Sequence, residues 1–267
     1  GNAIAMAIRA GINPQNLHKV PLHPMVVQGT EIPIPFEILG AGGRYRSEAG
    51  EDIDPLNHEG DAVVDMRFID DQHTLWFDSI RKTILDSTGL DISIDVVPVT
   101  HQVMETTGGL PVDEKGRVTI ESGKMWATGV YAAGPSASTG FHTSSILPGN
   151  TMLENLYTGS LAGEEAGKWS LNCKFGGSKN ILQSLDTANK RIENLYRDTG
   201  DSVGAAETKL TTQAKSVLAG TATIESLIET AGKTAEEVRT TTNTRVMNQE
   251  IVAALRVQDL GTIAASF

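Results

Sequence analysis

The residues best suited by type and order to do chemistry lie between Val130 and Gly167. A predicted strand ends in Ala132-Ala133-Gly134. A loop rich in glycine, serine and threonine carries His142, and Pro148-Gly149-Asn150-Thr151 opens a predicted helix. A helix N-terminus offers N–H groups without intrahelical partners and the positive end of the backbone dipole. That arrangement suits an anion or an electron-rich ring edge. The same residues also suit an ordinary strand–loop–helix unit, with His142 a solvated loop histidine.

Other chemistries find less support. Phe36-Glu37-Ile38-Leu39-Gly40-Ala41-Gly42-Gly43 imitates a dinucleotide loop, but Tyr45 occupies the third glycine position and no helical apolar spacing follows. No Walker loop occurs. His18, His23, His58, His73, His101 and His142 never pair at H-x-x-x-H spacing, so a zinc helix is not expected and no metal ligands are assigned. Ser136 and Ser144-Ser145 lack a G-x-S-x-G elbow.

The elements that must position these residues are readable in outline. Ala3, Ile4, Met6, Ala7 and Ile8 predict a short helix ending at Gly11. The prolines from Pro14 to Pro35 exclude a helix there. Ala62 to Met66 reads as a strand. Leu75, Trp76, Ile80, Ile84 and Leu85 fall at helical spacing, with Gly89 as the stop. Ile92, Ile94 and Val96 alternate as in a half-buried strand. Gly108-Gly109 and Asp113 to Gly116 read as turns, and Arg117 to Ile120 and Gly129 to Ala133 as strands. Thr151 and Glu154 have capping-box spacing, as do Thr234 and Glu237. The small flank Gly159, Ala162, Gly163 and Ala166 would let its helix pack closely on a sheet. From Ser178 onward there is no proline. Two apolar stripes, Ile181-Leu185-Ala188-Ile192-Leu195 and Leu210-Ala214-Val217-Leu218, predict a helical bundle, with Gly200, Gly220 and Gly232 as punctuation. Gly176-Gly177-Ser178 is the natural joint before it.

The 267 residues are 39% apolar and 21% charged, a globular composition with enough apolar surface for a core. No apolar run approaches the roughly 18 residues of a membrane helix. No secretory leader is visible. The net charge of -11 disfavours nucleic acid as a partner. Cys173 is the only cysteine, so this chain holds no internal disulfide and no thiolate cage for a cluster. A cytoplasmic setting is expected, with membrane association through partner subunits as a further option. Trp76, Trp126 and Trp169 read as core or interface residues, and Cys173 as an inert linker residue.

Several motifs together resemble the succinate dehydrogenase/fumarate reductase flavoprotein family, which includes the L-aspartate oxidases. Gly129-Val130-Tyr131-Ala132-Ala133-Gly134, His142 and Gly149-Asn150-Thr151-Met152-Leu153-Glu154 are similar to its G-L-Y-A-A-G-E and H-G-A-N-R-L-G-G-N-S-L-L-E. Gly1 to Ala7 with Arg9-Ala10-Gly11 resembles its G-x-G-x-x-M-A-x-R-A-G, and Leu22-His23-Pro24 its F-H-P. Pro98-Val99 through Gly108-Gly109-Leu110 matches P-V-x-P-x-x-H-Y-x-M-G-G-I without a gap. Arg245-Val246-Met247-Asn248 and Leu255 resemble its helical domain.

The resemblance implies an α+β fold: a remnant of an α/β FAD-binding domain with an inserted capping domain, then a C-terminal helical domain. The implied segments are 1–30 as the end of the first FAD-binding segment, 31–107 as the capping domain, 108–172 as the returning FAD-binding segment, and 173–267 as the helical domain. The implied cofactor is FAD, contacted by Ala133, Gly134, Pro135, Gly149, Asn150, Thr151 and Met152. The implied catalytic residues are His142 and His23. Thr151 would cap its helix and face the flavin. The implied partners are an N-terminal FAD-binding half or a separate flavin-binding chain, and an iron–sulfur electron-transfer subunit.

The departures from the family pattern are chemical. The family's N-terminal half with its G-x-G-x-x-G is not in this sequence. Met104 and Ile146 stand where a histidine and an arginine grip substrate carboxylates. Leu39 and Phe36 stand where a T-E-G-x-R-G stretch relays protons, and the segment carrying the arginine acid/base is absent after Gly50-Glu51-Asp52. Pro135 replaces a glutamate near the cofactor. Losing the arginine removes a bidentate clamp and leaves a dicarboxylate with buried, unpaired charge. The expectation is therefore a flavin-dependent oxidoreductase acting on a less charged substrate and passing electrons to a partner. The alternatives are a non-catalytic scaffold or assembly subunit that keeps the fold, and a fragment of a longer gene.

Overall fold

The computed structural model describes residues 2–58, 60–103, 106–142, 146, 149–174 and 176–266. In chain order the elements are α1 (Asn2–Arg9), β1 (Leu22–Val27), α2 (Glu37–Gly40), β2 (Arg44–Arg46), β3 (Ala62–Asp65), α3 (Asp71–Thr74), α4 (Asp78–Thr88) and β4 (Val96–Val103). They continue with β5 (Leu110–Pro111), β6 (Arg117–Ile120), β7 (Met125–Tyr131), β8 (Ala137–Ser138), α5 (Asn150–Ser170), α6 (Ser178–Glu193), α7 (Val203–Leu218), α8 (Ile224–Glu237) and α9 (Gln249–Ala264). This is the mixed helix-and-sheet fold expected. The chain forms two compact units, one of residues 1–16, 108–139 and 154–267, the other of residues 17–107 and 140–153.

The second unit is built on an antiparallel sheet of order β1-β4-β3-β2. Its core gathers Met25, Val27, Ile34, Ile38, Val64, Ile84, Val97 and Val99, all essentially without exposed surface. Burying each such aliphatic side chain contributes about 1.5–3 kcal/mol before entropy is counted. Gly89, at φ +77°, ends α4 by donating its N–H to Leu85 O at 2.8 Å. Only glycine adopts that conformation without strain, so this stop was legible.

The stripe on α4 is only half realised. Ile84 is buried, but Leu75 and Trp76 form a 3-10 turn ahead of α4 and stand 82% and 83% exposed. Trp76 is therefore not a core residue. The alternation Ile92-Ile94-Val96 also fails as a strand. Asp91 accepts from the Ser93 N–H and hydroxyl, and the Ile94 and Asp95 N–H groups bond to Asp91 O. This Asx turn competes with extended pairing and delays β4 to Val96.

In the first unit, β6 and β7 pair antiparallel and β5 pairs parallel with β8. Of the small flank of α5, Ala162 meets this ribbon, since a Cβ on Gly116 would stand 2.7 Å from Ala162 Cβ, whereas Gly159 and Gly163 are exposed. Gly109 is not in a turn. It bridges Gln15 through two backbone hydrogen bonds, and a Cβ there would lie 2.7 Å from Ser136 O. Gly109→Ala must push backbone against backbone. It is expected to cost about 1–3 kcal/mol in a urea melt.

The helical portion has its own core of Leu195, Ala206, Val238, Ala254 and Val257. Asp259, 5% exposed, ties three helices together. It accepts from Arg9 Nη1 of α1 at 2.8 Å and Arg191 Nη2 of α6 at 2.7 Å. Several expectations need correction here. Thr234 lies in the last turn of α8 and is fully buried, so it caps nothing; Thr223 caps α8 by accepting from the Ser226 N–H. Gly232 lies inside α8, whereas Gly200 and Gly220 do punctuate, at φ +120° and +70°. On α6, Ile181 and Leu185 remain exposed, and the stripe is buried only at Leu195, beyond the helix end.

Candidate functional site

Two groups of sequence-predicted site residues fall in different units. Ala133, Gly134 and Pro135 belong to the first. Ala133 is extended, and Gly134 opens a 3-10 turn through Ser136 that leads into β8. Gly134 sits at φ +56°, where a Cβ would lie 2.9 Å from Asn155 Oδ1. Its N–H donates to Thr158 Oγ1 at 3.2 Å. A side chain is excluded here by both conformation and space.

Gly149, Asn150, Thr151 and Met152 form the start of α5 in the second unit. Pro148 lies outside the described residues. The helix begins at Asn150, so Thr151 lies inside its first turn and not at the cap. Glu154 accepts a short hydrogen bond from the Thr139 hydroxyl. No acidic side chain sits in the first turn to oppose a bound anion. Met152, Leu153, Leu156 and Tyr157 expose most of their surface, an apolar strip along this end of the helix.

His23 and His142 also belong to the second unit. His142 is half-buried, its ring edge-on to Phe141 with centroids 5.0 Å apart. Ile146 is half-buried. Met104, Ser144 and Ser145 lie outside the described residues. His23 projects from β1, where β1 and β4 run antiparallel with His23 opposite Gln102. Its Nδ1 accepts from the Met25 N–H at 3.1 Å, and its ring lies 5.0 Å from Phe36. The backbone bond leaves Nε2 as the nitrogen that can carry a proton outward.

Burial is the largest influence on His23 and pushes its imidazole below the ordinary value. Glu37 raises it and His101 lowers it further. The unfolded chain therefore takes up this proton at higher pH than the folded one. Neutral His23 contributes stability above about pH 6.5 that is lost as pH falls below it toward the lower folded value. The stability gap between wild type and His23→Gln should accordingly shrink as pH is lowered from about 7 to about 5. An unchanged gap in thermal melts would contradict a buried neutral His23.

His101, on β4, is a residue that sequence reasoning missed. Its Nδ1 is buried and has no partner among the described residues. Its signal was its position: in the ungapped P-V-x-P match it stands where the second proline belongs. The dinucleotide-like run from Phe36 to Gly43 lies on the single turn α2 and its exit, where a Cβ on Gly43 would meet Ile38 at 2.6 Å. It is not a strand-to-helix phosphate loop. Trp126 packs edge-on to Trp169 at 5.9 Å, and Cys173 is exposed. Among the described residues, no three His, Cys, Asp or Glu side chains cluster as metal ligands, and no helix is long and apolar enough to cross a membrane.

Comparison with known proteins places this geometry in context. A family model described as FAD binding domain matches residues 1–152. An L-aspartate oxidase of Neisseria meningitidis serogroup B is 29% identical over 193 residues, covering 61% of this chain and 37% of its own length. An L-aspartate oxidase of Clostridium acetobutylicum is 28% identical over 186 residues, covering 61% and 41%. A solved quinol-fumarate reductase with menaquinol molecules superposes with TM-score 0.83 at 18% identity, over 100% of this chain and 53% of that one. A mutated E. coli quinol fumarate reductase FrdA gives 0.79 at 17% identity, over 99% and 53%. At these identities the solved structures establish a shared fold. The chain spans 37% and 41% of these curated relatives and about half of the solved chains.

Proposed function

This chain belongs to the FAD binding domain family, and on that premise we propose that it is part of a flavin-dependent oxidoreductase of the fumarate reductase, succinate dehydrogenase and L-aspartate oxidase type. It acts on a substrate less charged than a dicarboxylate and passes electrons to a partner. The observation that carries this reading is the family match over residues 1–152, which contains every predicted site residue.

FAD is the cofactor of the family. The residues are compatible with it. The first turn of α5 combines N–H groups with exposed Met152 and no carboxylate. When bound, FAD supplies a site that accepts or donates hydride. The chain's own residues do the rest. The first turn of α5 favours negative charge at a ring edge. Asn150 and Thr151, with Gly149 before them, would hold that edge; Ala133, Gly134 and Pro135 of the first unit remain further candidate contacts for the cofactor. His142 and His23 hold and move the substrate's proton at their ring nitrogens. Ile146, standing where an arginine would grip a carboxylate, replaces charge with apolar surface and so selects a neutral or monoacid substrate. The exposed strip Met152, Leu153, Leu156 and Tyr157 offers a surface on which further polypeptide of the FAD-binding fold packs. Iron–sulfur chemistry, with thiolates beyond those of Cys173, is then supplied by a partner subunit.

The test is the absorbance spectrum of natively purified protein, with intact mass and co-purifying chains measured on the same sample. A flavin spectrum that dithionite bleaches is the expected result, and substrate screening then begins with uncharged and monoacid compounds. If no flavin appears even when the remaining flavin-binding polypeptide is present, the oxidoreductase reading fails. The unpartnered Ile181, Leu182 and Leu185 of α6 would then favour a scaffold role.

A further inference from the structure

A cleft of ≈ 710 Å³ opens in the second unit between α2 and the segment from α3 to α4. Its size lies within the roughly 300–1,000 Å³ of small-molecule sites. Pro35, Phe77 and Ile80 supply apolar walls, Glu37 and His73 supply polar groups, and Trp76 supplies an indole. No lysine or arginine lines it. Glu37 is exposed and makes no ion pair among the described residues. Trp76 stands 83% exposed beside Leu75 at 82%, on a 3-10 turn whose surroundings are locally anchored. Asp70 caps α3 by accepting from the Gln72 N–H, and Asp78 of α4 pairs with Lys82 at 2.7 Å. A solvent-facing indole and a carboxylate without an ion pair among the described residues thus line one cleft.

We propose that this cleft binds a small amphipathic cation, an ammonium or guanidinium group on an apolar body, with Glu37 as the counter-charge and Trp76 as the ring face. Charge complementarity sets the sign of the ligand. The carboxylate attracts a cation, the aromatic face stabilises it through its quadrupole, and the walls take the apolar body. An anion would meet Glu37 with nothing on the cleft wall to offset it except His73. A bare metal ion would find a single carboxylate, too few ligands for tight binding. Glu37 also bears electrostatically on His23, but none of the residues proposed for flavin chemistry lines the cleft, and the test does not depend on flavin being bound.

The test is isothermal titration calorimetry of the full chain with benzyltrimethylammonium at about pH 8, where an ordinary imidazole is neutral. Benzyl alcohol and phenylacetate at matched ionic strength are the neutral and anionic controls. The expected result is saturable one-to-one binding of the cation alone. Glu37→Gln and Trp76→Leu should each weaken it about fivefold, and Trp76→Phe should retain most of the affinity. Both positions are exposed, so the variants should melt as wild type does, and this is checked on the same samples. Absence of saturable binding, equal binding of phenylacetate, or affinity unchanged in both Glu37→Gln and Trp76→Leu would overturn the proposal.

Discussion

Replacing Asp65 by asparagine is expected to lower stability by about 3–5 kcal/mol, read from urea or thermal melts. Asp65 is fully buried at the end of β3 and serves two arginines. Arg46 Nη1 reaches Oδ2 at 2.8 Å, Arg67 Nε reaches Oδ1 at 2.9 Å, and Arg67 Nη2 reaches Oδ2 at 2.9 Å. Removing the negative charge takes a hydrogen-bonded partner from both guanidinium groups and leaves Arg67 only the longer-range attraction of Asp95. Arg46 keeps one partner, Asp52, at 2.8 Å. The two arginine variants should differ. The Arg46 side chain is 18% exposed and that of Arg67 42%, so solvent screens Arg67 more and Arg46→Met should cost the larger share. Hydrogen bonds from Arg67 hold the Asp65 carboxyl below the ordinary carboxylate range, against burial, which pushes it up. The sign follows from linkage. This stabilisation is present above about pH 4 and is lost as pH falls through the lower folded value. A wild-type protein that lost the Asp65 contribution already near pH 6 would contradict this account.

Replacing Asp259 by alanine should produce the second large loss, about 3 kcal/mol, and should act on the first unit. The carboxylate joins α1 to α6 through Arg9 and Arg191 while sitting on α9. Arg191 also donates from Nε to Gln258 Oε1 at 2.7 Å and from Nη2 to Leu255 O at 3.4 Å, so Arg191→Ala removes three hydrogen bonds and Arg9→Ala one. Arg9→Ala should therefore be the milder variant. A double-mutant cycle on Asp259 and Arg191 should return a coupling of about 1 kcal/mol or more, because the groups share one buried network. Hydrogen exchange supplies an independent reading: loss of Asp259 should deprotect α1 and α6 before the α8–α9 pair, whose packing rests on Ala231 and Ala254.

Much of the candidate site was legible because its signals are local. Gly134, Gly149 and the start of α5 follow from backbone rules, in which glycine accepts positive φ and a helix must begin with unpaired N–H groups. His23 and His142 were reached through motif resemblance, and both fall in the second unit with Ile146. His101 was not reached. Nothing in a single sequence says which residue of an antiparallel neighbour strand will face a given histidine.

The sequence by itself determined the mixed fold, the stops at Gly11 and Gly89, and the turn at Asp113 to Gly116. Each depends on steric rules acting over a few residues, or on the absence of a side chain. Tertiary structure decided which apolar stripes are buried. Leu75, Trp76, Ile181 and Leu185 have helical spacing but no packed neighbour, whereas Ile84 and Leu195 have one. It also decided between competing local signals. Asp91 and Ser93 form a turn inside an alternating run, and Thr234 is buried at a helix end although its spacing to Glu237 suits a helix start. Gly109 is required by Ser136 backbone far away in sequence, and Asp65 acquires Arg46, and Asp259 its two arginines, only when strands and helices meet. Periodicity reports that a face exists; burial depends on what arrives to cover it, and that is a property of the whole chain.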